Sequence, residues 1–145
     1  YAATASDNMA VSTTVAMSCT ISAGALTFSA YDPTSASNSD ATATIQSSCT
    51  SGGSVVITMG QGGNADASST DSVPVRRMNG SGGNLGYAVY TDTDRMAVWG
   101  NTTGTGNAYT ASGGLDNIIV YGRIPGSQAV GAGSFSDTVA VTATY

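Results

Sequence analysis

An all-β sandwich is the fold this sequence predicts, and three observations predict it. The chain of 145 residues has no Lys, no Glu and no His, so two of the good helix formers are missing. Its longest runs alternate in twos, with larger apolar residues against small polar ones, which is the period of a strand with one buried face. Gly, Asn, Asp and Ser clusters separate about nine such runs, the spacing of a sandwich or barrel. No stretch shows a 3.6-residue period.

The first run is the longest uninterrupted one. Met9, Val11, Thr13, Val15 and Met17 point one way, and Ala10, Ser12, Thr14, Ala16 and Ser18 the other, and the strand is expected to reach Ile21. No turn residue breaks it, and no partner lies nearby in sequence. A turn at Ser22–Ala25 leads to a short strand, Leu26–Phe28. Ala41–Cys49 alternates again, and Val55–Met59 is β-branched and strand-like. Val73–Met78 reads as an edge strand because Pro74 cannot donate to a ladder. Leu85–Thr91 alternates, Arg95–Trp99 is a short strand, and 100–114 reads as a long polar loop around Tyr109. Leu115–Ile124 is strongly apolar. A final strand is expected from Ser134 to Tyr145, with Phe135, Asp137, Val139, Val141, Ala143 and Tyr145 on one face.

Composition narrows the function. Hydrophobic residues are 41% of the chain, enough for one packed domain. Net charge is −5, with nine Asp against four Arg. Four scattered Arg cannot make a phosphate-binding patch or a polybasic membrane surface, so nucleic-acid binding is not expected, and no apolar run approaches the roughly 20 residues of a transmembrane helix, so neither is membrane insertion. The chain opens on Tyr1, so it is either a fragment or the product of signal-peptide removal, and the cysteines favour the second. Cys19 and Cys49 are an even count in a small β-rich chain. Bridged, they close a loop of about 30 residues, worth roughly 3–4 kcal/mol, and imply an oxidising compartment. Two free buried thiols are the alternative.

Catalysis has little to build on. A nucleophilic triad needs His, a Ser–Lys dyad needs Lys, and two cysteines alone do not close a zinc site. Gly80–Gly83 lacks the Lys-Ser/Thr of a phosphate loop and reads as a hairpin turn. Asp66 with Asp71, or Asp92 with Asp94, are oxygen donors that calcium accepts, but they lack its loop spacing and are ordinary turn residues. An Asp pair for glycosidic chemistry has nothing to place it. Trp99 and the tyrosines are read as core rather than as a sugar site. Arg76 and Arg77 are adjacent and face opposite sides of a strand, so at most one is buried, and they are read as solvated edge charge that discourages aggregation. No enzyme, cofactor or metal is expected.

Several stretches match a known family in order: Val15–Gly24, Leu26–Phe28 leading to Tyr31-Asp32, Ile45–Cys49, Leu85–Asp92, Val98-Trp99-Gly100, Tyr121–Pro125, and the ending from Phe135 to Tyr145. With these the sequence resembles the spore coat protein U domain family, the subunits of archaic (Csu-type) chaperone–usher pili. The resemblance implies an immunoglobulin-like sandwich that lacks its last strand and is completed by donor-strand exchange with a neighbouring subunit. A periplasmic chaperone fills the gap first, with an outer-membrane usher as the other assembly partner. Identical subunits then join head to tail by β-augmentation.

Carried onto this chain, residues 1–18 form the donor segment and 19–145 the pilin domain. Met9, Val11, Thr13, Val15 and Met17 are the donor-strand plugs. Burying the four apolar ones is worth on the order of 6–10 kcal/mol before ordering costs. Phe135, Val139, Val141, Ala143 and Tyr145 edge the acceptor groove. The expected role is the major shaft subunit of a cell-surface pilus, reached through the periplasm, in adhesion and biofilm formation. The alternatives are a secreted spore-coat or matrix protein of the same fold, and a carbohydrate-binding module using Trp99.

Overall fold

A computed structural model describes residues 2–145. Nine strands follow in order: β1 (Cys19–Ala23), β2 (Ser39–Cys49), β3 (Ser54–Met59), β4 (Arg76–Gly80), β5 (Gly83–Tyr90), β6 (Asn107–Thr110), β7 (Leu115–Ile124), β8 (Phe135–Ser136) and β9 (Val141–Thr144). Six form one sheet in the order β1-β2-β7-β5-β4-β8, and three form a second in the order β6-β3-β9. Every pairing is antiparallel. Among the described residues there is no helix.

Register puts the apolar set on facing surfaces. Ala43 lies opposite Val120 and Ile45 opposite Ile118, while Met78 faces Leu85. These residues, with Tyr87, Val89 and Ile124, form the inner face of the larger sheet. Val55, Ile57 and Met59 supply the smaller sheet's inner face. Trp99 is wholly buried between them and donates from Nε1 to the Ile57 carbonyl at 2.8 Å. It is a core residue, and its ring is not available to a sugar. Tyr109 reaches across the sandwich to donate to Ser47 Oγ at 2.6 Å.

Several elements differ from the sequence reading. Of the expected first strand only Cys19–Ile21 is hydrogen-bonded into a sheet, because alternation needs a ladder partner before it becomes a strand, and β1 runs on through Ser22 and Ala23, where a turn was expected. Leu26–Phe28 is not a strand. Leu26 and Phe28 still pack inward, over Gly122, where an added Cβ would lie 2.8 and 2.9 Å from their side chains. β4 starts at Arg76, after Pro74, and is flanked by β5 and β8 instead of forming an edge. Arg95–Trp99 contributes only a single bridge, Tyr90 to Val98. Asp92 holds this turn by accepting from the Met96 and Ala97 amides. The supposed loop 100–114 contains β6, paired with β3.

Two features of the fold bear on function. The last strand is not one strand: β8 pairs with β4 in the larger sheet, and β9 pairs with β3 in the smaller. Residues 137–140 carry the chain across. Arg76 is not solvated either, being 1% exposed. Its partners are backbone carbonyls, which sequence spacing does not reveal.

Candidate subunit interface

Each sheet ends in edge strands, β1 and β8 in the larger and β6 and β9 in the smaller, and on one flank two of these edges, β1 and β9, lie close together. β9 ends the smaller sheet, and among the described residues its only ladder partner is β3. β1 ends the larger sheet and pairs only with β2. The two strands lie side by side, with closest Cα atoms within 8 Å. A strand hydrogen-bonded to both would need about 10 Å, two strand spacings. No ladder joins them, so the flank is narrowed but not bridged.

The walls of this flank are apolar and half covered. Val139, Val141 and Ala143 face the core but stay only partly buried, whereas Val55 and Ile57 on neighbouring β3 are 0% exposed. Ile21 forms the other wall. It lies opposite Ser47, so it faces inward, yet it is 36% exposed. The alternation of Met9–Ile21 held the signal for Ile21, but its role as a wall needed the register. Phe135 stands apart from this set, opposite Gly80 in the larger sheet, because the chain changes sheets after β8. Tyr145 is exposed.

The N-terminal segment leaves from the same flank. Residues 2–17 have no assigned secondary structure. Met9 and Val11 are 87% exposed and Val15 78%, and Thr13 is exposed beside them. Met17 differs: it packs on its own domain, over Gly53, where any Cβ would overlap its side chain. Beyond it the chain is pinned. The Ser18 amide donates to Thr50 Oγ1 at 3.0 Å, and the Thr50 amide donates to the Ser18 carbonyl at 2.9 Å. The Cys19–Cys49 disulfide, between directly opposed residues, then ties β1 to β2.

Direction follows from register. Cys19 lies opposite the last residue of β2, and β3 begins five residues later at Ser54. Thr144 pairs with Val56 near the start of β3. β9 therefore finishes at the end where β1 begins, and the two run antiparallel. The N-terminal segment reaches β1 from that same end.

Most of the charged side chains pair with one another or serve turns. Arg123 donates to both Asp40 oxygens, at 2.7 and 2.9 Å, across the β2–β7 pair. This bidentate contact holds the Asp40 carboxyl below the usual range. Arg95 stacks 5.6 Å from the Tyr121 ring centre and lies 3.6 Å from Asp40. Asp66 accepts from Ser68 and Arg77, and Asp71 from Gln61 and Asn101. These carboxylates thus serve loops and turns. Burial pushes Arg76 down to about 10, which leaves it charged at neutral pH.

Fold and flank together define an immunoglobulin-like all-β sandwich with one apolar edge left unpaired and an alternating segment beside it. The sequence matches the Spore Coat Protein U domain model over residues 5–142, and the chain belongs to that family. A relative, Protein U of Myxococcus xanthus, is 39% identical over 155 residues, an alignment spanning 99% of this chain and 87% of that protein. Among solved structures, the fold is similar to a chain in the chaperone–tip adhesion subunit pre-assembly complex from the archaic chaperone–usher Csu pili of Acinetobacter baumannii. That likeness has a TM-score of 0.63 and 18% identity, and covers 91% of this chain but 40% of that one.

Proposed function

We propose that this chain is a structural, non-enzymatic pilin that polymerises by donor-strand complementation. In this reading Met9, Val11, Thr13 and Val15 of one subunit enter the flank between β1 and β9 of the next. The observation that carries it is the pairing of two unfinished parts on one chain. One is a sheet edge with half-buried apolar walls, and the other a strand-patterned segment whose Met9, Val11 and Val15 stand in solvent. Met17, already seated on its own domain, marks where the donor segment ends.

The geometry favours donation to another copy. To enter its own flank, the segment would have to reverse at Ser18, which the Thr50 hydrogen bonds and the adjacent disulfide fix. A second subunit can instead lay the segment antiparallel to β9 and widen the flank as it enters. Such a contact does not close on itself, so it propagates as a filament.

Further parts of the reading rest on the family and on the Csu-complex fold. They are the major-shaft role, a periplasmic chaperone and outer-membrane usher as assembly partners, display on the cell surface, and service in adhesion and biofilm formation. A second reading, a coat protein assembled by the same exchange on a spore or cell surface, is favoured by the family's description and by the 39% identity to Protein U. Deleting residues 1–17 tests the mechanism: no polymers should form, and fibres of normal appearance would end the donor-strand reading. Microscopy of the native material separates pilus from coat.

A further inference from the structure

We propose that Asp137, Tyr87 and Arg76 are positioning residues for donor uptake, forming a polar corner that sets the register of β9 on β3. The functional half of this proposal rests on the donor-strand reading.

The need for such a corner follows from the strand itself. Val139 to Thr144 reads Val-Ala-Val-Thr-Ala-Thr, with small or β-branched residues on both faces. Shifting a strand by one residue exchanges its faces, and a pattern this even resists the slip weakly. Register must therefore be fixed where the chain enters the strand.

Asp137, in the sheet-changing connector, does this with three bonds. Its Oδ1 accepts from the Gly63 amide at 2.8 Å and from Asn64 Nδ2 at 3.1 Å. Its Oδ2 accepts from the Tyr87 hydroxyl on β5 at 2.6 Å. Arg76, opposite Tyr87 in the β4–β5 pair, holds the other side of the same loop. Its Nε donates to the Gly60 carbonyl at 2.8 Å, and its Nη2 to the Met59 and Trp99 carbonyls at 2.8 and 2.7 Å. The Gly60 amide then donates to the Ala140 carbonyl at 2.8 Å, one residue before β9. Residues 59–64 are thus fixed from the larger sheet by Arg76 and from the connector by Asp137. Met59 in turn pairs with Val141, the first residue of β9. The inward set Val139, Val141 and Ala143, which a donor strand must match, takes its place from this corner.

The test uses the full-length, disulfide-bonded chain, with site-resolved hydrogen exchange and polymer growth per folded subunit, folding being checked by the Trp99 signal. Asp137→Ala should speed exchange at residues 141–144 about tenfold or more relative to β2 and β7, and slow growth by a similar factor, since each lost hydrogen bond to a charged group is worth roughly a decade or more. Asp137→Asn keeps an acceptor for Gly63 and a donor for the Tyr87 oxygen, and should return both readouts close to wild type. Should Asp137→Ala not fold, Tyr87→Phe, which removes one hydroxyl, should move both readouts the same way to a smaller extent. Wild-type exchange at 141–144 in the folded variant overturns the corner. Faster exchange with unchanged growth overturns its role in uptake. A wild-type chain that never polymerises overturns the donor-strand reading instead, and the exchange data still decide the corner.

Discussion

On the donor-strand reading, the sharpest perturbation is a charge on the Met9–Val15 face of the N-terminal segment. Val15 is 78% exposed in the isolated subunit, so nearly all its side chain has burial to gain. Val15→Asp loses about 1.5 kcal/mol of that gain. The carboxylate must also enter an apolar flank, and its least costly route is to take up a proton. With an ordinary pKa near 3.9, that costs about 4 kcal/mol at pH 7. Together the two effects weaken donor uptake by roughly four orders of magnitude. Thr14→Asp places the same charge on the opposite face, where it stays hydrated, and is expected to polymerise nearly as the wild type does. Lowering the pH to 5 should restore about two orders of magnitude to Val15→Asp, because the protonation cost falls to about 1.5 kcal/mol. Sedimentation and negative-stain microscopy of purified subunits read the result. Equal behaviour of the two variants at pH 7 would refute the inward assignment of Val15, and the absence of any pH rescue would refute burial of the carboxylate.

Two further outcomes follow from the domain itself. Replacing Cys19 and Cys49 by Ser should lower stability by about 3–4 kcal/mol, seen as a Tm drop of roughly 8–15 °C; a drop below about 3 °C would show that the bridge does little. Asp40 has a lowered pKa, chiefly from the Arg123 hydrogen bonds. A carboxyl depressed in the folded state contributes stability that is present above its unfolded pKa near 4 and is lost as pH falls through the folded value. Asp40→Asn should therefore flatten part of the stability loss between about pH 4 and pH 2 in a urea-unfolding series, and an unchanged acid slope would remove Asp40 from that account.

How much was legible depended on whether a feature is local. β2 and β5 were visible because each buries one face and alternates accordingly, as with Ala43, Ile45 and Ser47, and β3 and β7 because they are apolar and rich in β-branched residues. β6 was not, because Asn107–Thr110 is polar and joins a sheet only through β3. Arg76 was misread for a related reason. A doublet of arginines looks solvated, and the carbonyls that take up its charge come from residues 59, 60 and 99, distant in the chain.

The sequence alone determined the fold class, the cysteine pair as bridge candidates, and the alternation of Met9 to Met17. These rest on side-chain period and residue type, which are properties of neighbours along the chain. Only the tertiary structure decided that the last strand splits between two sheets, that Ile21 lies on one side of the flank with Val139, Val141 and Ala143 on the other, and that Met17 packs over Gly53. Each depends on which strand lies beside which, and that is set by packing and hydrogen bonds between residues far apart in sequence.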